Sequence, residues 1–363
     1  MDNNNWISDP KAGAQNLLAD CVGLKPGETL LLVREDARHG KYDEAAGDVV
    51  AEVAAEMGAH VFQILSPPMS GPESFPDVLG GALQQADHAV FFSGIGDQIR
   101  FSKYTSKQTA SMCYALDVDL LGSPFCSVPH SLMKKVAASL RQQLSQGGEW
   151  NITCPLGTDL KGYLEPYLVE DKDPNAFTVE LFPLGILPPI SASTMNGRVA
   201  TKWIMSTQNR QYEPSGMVLD DHVFIDIQQC RLTEISGPAS LSEKVQQHYN
   251  HVAGLFDIDR DYIHSWHTGI HPKTHYTGSV HDDMTRWGTV TFNSPRYTHI
   301  HTCGDYPPGE IALVMIDATI TLNDEPLWQD GKFVFLERSE VVSLLKDYPG
   351  HEGAFEMLWN IGL

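Results

Sequence analysis

Positive charge is scarce in this chain: 25 Lys and Arg face 46 Asp and Glu, for a formal net charge of −21. Nucleic acids and anionic membranes demand a basic surface, so both are excluded as partners, and the acidic excess serves solubility. Long apolar runs are also missing. No stretch of 18 apolar residues occurs, which excludes a transmembrane helix. MDNNNWISDPKAG at the N-terminus has neither a basic nor an apolar leader region, so no signal peptide is expected. The six cysteines (Cys21, Cys113, Cys126, Cys154, Cys230, Cys303) form no C-x-x-C pair. That favours reduced thiols and a cytoplasmic location over disulfides or a zinc finger. Absent motifs narrow the chemistry further. There is no H-E-x-x-H of an ordinary zincin and no G-x-S-x-G nucleophile elbow. Gly94 and Gly96 in GIGDQI fall short of a dinucleotide fingerprint, which needs a third glycine.

What is present reads as two parts. The first 150 residues alternate apolar runs with helical periods, the rhythm of an α/β layer domain. Strands are expected at Thr29–Val33, His60–Leu65 and His88–Phe92. Helices are expected at Ala14–Val22, Tyr42–Met57, Leu79–Gln85, Gln108–Ala115 and Ser131–Gln143. Gly23 and Gly58 stand where helices end. From residue 151 to 363, proline and glycine become frequent and short β-like runs dominate: Val199–Met205, Met217–Leu219, Val223–Ile227, Gly288–Phe292 and Ile311–Leu322. One helix, Leu241–Leu255, stands among them. The expected architecture is an α/β (Rossmann-like) N-terminal domain followed by a β-rich α+β metal-binding domain.

Histidine is abundant in one place. Seven of fifteen lie between His264 and His301, where an even spread would put about 1.6. Histidine is the commonest metal ligand and titrates near neutral pH, so the cluster points to a metal site or an acid–base site. His264, His267, His271 and His275 have helical spacing, but Gly269 and Pro272 interrupt it, and an interior proline costs a helix about 3 kcal/mol. SWHTGIHPKTHY is therefore expected to be a loop. His299 and His301 lie in YTHIHT, a run of β-formers. On a strand they share a face, roughly 6–7 Å apart, and can converge on one ion. The alternative is a polar strand face in water.

Zinc enzymes use three histidines and a water, whereas non-haem iron(II) oxygenases use two histidines and a carboxylate with open positions. A third ligand would come from another segment, and Glu310 is a candidate carboxylate. Arg286 has the planar fork to grip a carboxylate or phenolate. Trp287 and Phe292 are candidates for an aromatic wall, with core packing the competing role for Phe292. His281 and His271 are candidates for proton transfer. Asp282 and Asp283 read as a solvated turn.

The segment order resembles the aminopeptidase T/S type of metallopeptidase and its offshoot, the 2,5-dihydroxypyridine 5,6-dioxygenases. ITCPLGTDL (Ile152–Leu160), FPLGILPP (Phe182–Pro189), WHTGIHPKTH with WGTVTFNSP (Trp287–Pro295), and the closing TITLNDEPLWQDGKFV carry the likeness. The departures are informative. The peptidases' metal-ligating glutamate in the proline-bounded segment is replaced by Leu184-Gly185-Ile186, and another falls where His267 stands. The dioxygenases' H-x-D is absent. By motif its equivalent is His299-x-His301; by distance to the closing hairpin, Glu310 and Ala312 fall there instead. The resemblance implies a homo-oligomeric metalloenzyme with a single ion, iron(II) or alternatively zinc(II), held by His267 with His299 and His301, and with Glu310 the substitute ligand. It would act on a small aromatic or N-heterocyclic substrate, with dioxygen as co-substrate in the iron reading. A zinc-dependent hydrolase and a non-catalytic metal-binding protein are the alternatives.

Overall fold

A computed structural model describes residues 6–39, 41–169, 177–305 and 309–363. In chain order its strands are β1 (Thr29–Glu35), β2 (His60–Ser66), β3 (His88–Phe92), β4 (Thr109–Cys113), β5 (Gly148–Thr153), β6 (Asp159–Leu164), β7 (Glu180–Phe182) and β8 (Ile190–Ser191). They continue as β9 (Asn196–Ser206), β10 (Gly216–Gln228), β11 (Arg231–Ser236), β12 (Ile263–Thr268), β13 (Tyr297–Thr302), β14 (Ile311–Ile316), β15 (Thr319–Leu322) and β16 (Glu325–Trp328).

The first sheet is parallel, in the order β2-β1-β3-β4-β7. Its central strands are near-continuous apolar runs such as LLLV and HAVFF, because helices cover a parallel sheet on both faces. The helix Glu44–Glu56 is capped by Asp43, whose carboxylate accepts from the Ala46 amide. Two expectations are corrected here. Gln108–Ala115 is not a helix: Thr109–Cys113 is a strand, buried from Ala110 to Cys113 between two parallel neighbours. Ala14–Val22 begins earlier, at Pro10, and its second half (Asn16–Val22) is wound as a π-helix before Gly23. The sheet also takes its last strand, β7, from beyond residue 150.

The second sheet is antiparallel, in the order β16-β15-β5-β6-β9-β14-β13-β12-β8, with the β10–β11 hairpin joined through β9. Its middle strands are buried on both faces: every residue of β13 and β14 is buried. The alternation of side chains divides them. Trp266, Ile300, Leu313 and Ile204 pack into one core, while Tyr297, Ala312, Val314 and Met205 belong to the core shared with the parallel sheet. Among the described residues, no helix is long and apolar enough to cross a membrane.

Two further expectations change. The loop reading of SWHTGIHPKTHY fails at its start, since Ile263–Thr268 is a strand. Gly269 and Pro272 stop a helix, but both fall after the strand has ended. Gly288–Phe292 is not a strand. Met284–Thr291 is a helix, capped by Asp283, with the Thr289 and Thr291 hydroxyls bonded back to the Thr285 and Trp287 carbonyls. Those local bonds satisfy β-prone threonines inside a helix.

Candidate metal centre

The β12–β13 ladder sets His267 directly opposite His299, and His301 follows two residues on. Directly paired residues share a face of the sheet, as do residues i and i+2 of one strand, so all three imidazoles project to the same side. Ring centroids are 5.1 Å apart for His267–His299, 4.7 Å for His267–His301 and 4.6 Å for His299–His301. One ligand nitrogen from each lies within 4.8 Å of the others, and no other such group of metal-ligating side chains occurs among the described residues. The next strand adds nothing polar: Val314 pairs with His299 and Ala312 with His301. The cluster is thus built by two strands alone.

All three histidines are buried. Both ring nitrogens of His267 and His301, and Nδ1 of His299, lack a hydrogen-bond partner. Buried polar atoms are nearly always paired, so five unpaired nitrogens in one cluster call for a ligand. Burial pushes all three pKa values down. His299 falls to about 3, with the Arg100 charge as the second cause. For His267 and His301 mutual histidine repulsion adds to burial, and on His267 the Leu187 backbone pulls weakly the other way. The imidazoles are therefore neutral at pH 7, the form that offers lone pairs to a metal. Three convergent neutral imidazoles without a carboxylate fit a single first-row metal ion with open positions.

His299 and His301 line a cavity of about 70 Å³ at the junction of the two sheets. Roughly 30 Å³ is one water's share of liquid volume, so the space takes an ion with a water or two, or the head of a small ligand. Asp97, Arg100 and Tyr114 line it from the segments that follow β3 and β4; Met205, Asn209, Phe292 and Tyr297 from the second part of the chain. Asp97 is the hub of the polar wall. It accepts from the Tyr114 hydroxyl (3.1 Å) and the Asn209 amide (3.0 Å), and pairs with Arg100 at 3.3 Å. Ser206, Asn209 and Thr285 also line a larger cleft of about 290 Å³, which holds Lys41, Arg210 and Arg286. Asn209 and its neighbour Gln208 both hold positive φ (55° and 49°), a conformation uncommon outside glycine that often marks functional loops.

The remaining predicted residues fall elsewhere. Glu310 is buried but outside the histidine group; it pairs with Arg210 Nε at 3.1 Å, and burial raises its pKa to about 8 against the opposing pull of Arg210. Arg286 stands in the adjoining cleft, held by Asp117 and the Lys41 carbonyl. Trp287 is fully buried: its indole N–H donates to the Ile361 carbonyl (2.6 Å) and its ring packs on Tyr297. A tryptophan so enclosed has no face for a substrate, whereas Phe292 does line the cavity, edge-on to Tyr114. His281 is exposed on a turn. His271 is buried against the edge of Phe125, its Nδ1 accepting from the Lys273 amide. Neither lines the cavity. Asp283 is a helix cap, and Asp282 accepts from the Ser279 amide.

Sequence reasoning missed Asp97, Arg100 and Tyr114. A signal existed: all three follow the carboxyl ends of β3 and β4, where ligands bind in parallel sheets. Gly96, weighed above for a nucleotide loop, is instead a packing glycine; a Cβ there would meet Phe91 Cβ at 2.7 Å and Met112 Sδ at 2.6 Å.

No family model matches the sequence, and no curated protein matches it. Solved structures do share its fold. The structure of 2,5-dihydroxypyridine dioxygenase from Pseudomonas putida KT2440 superposes with a TM-score of 0.60 at 13% identity, over 88% of this chain and 96% of that one. AmpT from Thermus thermophilus superposes with a TM-score of 0.52 at 10% identity, over 90% and 98%. The α/β layer followed by a β-rich part, with a three-histidine cluster between them, is thus built on the fold that these two proteins share.

Proposed function

We propose that His267, His299 and His301 hold one metal ion, iron(II), and that the protein is an oxygenase acting on a small anionic aromatic or N-heterocyclic compound. The observation that carries this reading is the group of five unpartnered imidazole nitrogens on one sheet face; the likeness in fold to 2,5-dihydroxypyridine dioxygenase is what favours iron(II) over zinc. Iron(II) held this way supplies open positions for substrate and dioxygen, whose two atoms would enter the opened ring. The chain's own residues do the rest. Met205, Phe292 and Tyr297 restrict water on the apolar side. Asp97, fixed by Tyr114 and Asn209, offers a carboxylate at the cavity wall. The cleft beyond Asn209 has room for the ring of a substrate whose polar head reaches the histidines.

A zinc hydrolase is the second reading, favoured by the absence of a carboxylate from the group: three histidines and a water form a common catalytic zinc set. Metal analysis of anaerobically purified protein separates the two. Iron near one per chain, with oxygen uptake on dihydroxylated N-heterocycles, supports the oxygenase. Zinc, with amide hydrolysis and no oxygen uptake, supports the hydrolase. Protein that binds neither ion defeats both.

A further inference from the structure

The cavity contains a guanidinium whose hydrogen-bonding capacity is not used up. Arg100 is 5% exposed, yet its Nε and Nη1 have no hydrogen-bond acceptor. The ion pair with Asp97 at 3.3 Å lies off hydrogen-bond geometry, and that carboxylate already accepts from Tyr114 and Asn209. A buried guanidinium carries five N–H donors and cannot shed its charge, so leaving the three on Nε and Nη1 without an acceptor is costly. Phe101 and Phe177 stack beside it, their centroids 5.3 and 4.8 Å from Cζ, and fix the plane of the fork. Apart from the histidines, Arg100 is the sole basic side chain among the described residues lining this cavity. Its charge reaches all three imidazoles.

Asp97 balances the Arg100 charge, but the N–H groups of Nε and Nη1 still point to no acceptor, and a second anion beside a cation site would supply one. We infer that Arg100 is the anion-recognition residue of this cavity and that the ligand is an aromatic or N-heterocyclic carboxylate, gripped by the guanidinium while its ring extends past Asn209 into the larger cleft. The planar fork matches a carboxylate in two-point contact. This assignment moves the role that the sequence suggested for Arg286 to a residue at the end of the short helix Ile95–Ile99, which follows β3. It rests on the reading of the histidine face as the reaction site, but the anion contact itself needs no metal.

The test is calorimetric titration of the metal-free protein and the cobalt(II)-loaded protein with pyridine-2-carboxylate, with the visible cobalt bands as a second readout. Saturable binding at one per chain is expected. Arg100→Met should weaken it about 10- to 100-fold, the range for a hydrogen bond to a charged group. Arg100→Lys should weaken it less, because it keeps the charge and loses the fork. Cobalt uptake should persist in both variants. Unchanged affinity in a folded Arg100→Met or Arg100→Lys protein overturns the inference, and so does absence of saturable binding to either form of the wild type. Failure of cobalt uptake would defeat the metal reading alone; Arg100-dependent binding by the metal-free protein would still support this one.

Discussion

The two sheets differ in which buried polar groups they leave unpaired. Around the parallel sheet the buried carboxylates of Glu35 and Asp97 and the Tyr42 phenol are committed, while Arg100 and His130 keep unpaired nitrogens that lie apart from one another. The Tyr42 hydroxyl donates to the Cys113 carbonyl, Glu35 accepts from the Gly94 amide, and Asp97 has three partners. On the inner face of the antiparallel sheet, three imidazoles stand together with five nitrogens unpaired. A connected polar network holds a scaffold in one geometry, whereas a row of convergent lone pairs is useful only towards a ligand. The difference teaches that the first sheet supplies a connected wall with one uncommitted guanidinium, and the second supplies the convergent lone pairs.

Four perturbations would break or sharpen this contrast. The largest effect is expected in the scaffold. Phe91, fully buried in β3, should cost about 3–5 kcal/mol of unfolding free energy when changed to Ala, as seen for large-to-small core changes. Chemical denaturation would measure it, and a loss below about 1 kcal/mol would show that the parallel sheet is not the scaffold. In the donor face the loss should be of metal and not of fold. His301→Ala should lower metal affinity by at least about 100-fold, since even removing a residue behind a ligand costs 10–100-fold. His301→Leu should leave the metal-free protein as stable as the wild type, or more so, because it removes two unpaired buried nitrogens. A folded His301→Ala protein that keeps its metal would disprove the assignment.

The third effect depends on pH. Burial depresses His271 to about 3, with the Lys273 and His130 charges adding to it. A histidine depressed in the folded state binds fewer protons there than in the unfolded chain, whose value is about 6.5. Its influence is therefore absent above pH 6.5, and stability falls as the pH drops below it. The loss should reach about 2 kcal/mol by pH 5. Thermal melts of wild type and His271→Phe across pH 5–7 would show it; parallel curves would mean that His271 contributes nothing. The smallest effect belongs to Arg286. Its ion pair with Asp117 is partly exposed and should contribute no more than about 1 kcal/mol. Arg286→Ala should leave metal content unchanged. A loss of metal there would mean that the cleft and the donor face are one unit.

Much of the site was legible because strand periodicity is local. YTHIHT is rich in β-formers, so two histidines at i and i+2 had to share a face once a strand formed. His267 was harder to place. The sequence nominated it by resemblance, but the following Gly269 and Pro272 suggested a loop, and only the ladder to β13 set it opposite His299. Trp287 and Phe292 exchanged expected roles for a similar reason. Their segment reads as a β-run, and winding it as a helix sends the tryptophan into the core and the phenylalanine to the cavity.

By itself, then, the sequence determined the class of fold, the strand that carries His299 and His301 on one face, and the acidic net charge, because period, composition and net charge are properties of neighbouring residues or of the whole chain. Only the tertiary structure decided that β12 supplies the third histidine, that Glu310 pairs with Arg210 outside the cluster, and that Arg100, some 170 positions earlier in the chain, faces the same cavity. Those outcomes depend on strand register and on how two sheets pack, which are settled by contacts between residues far apart in sequence.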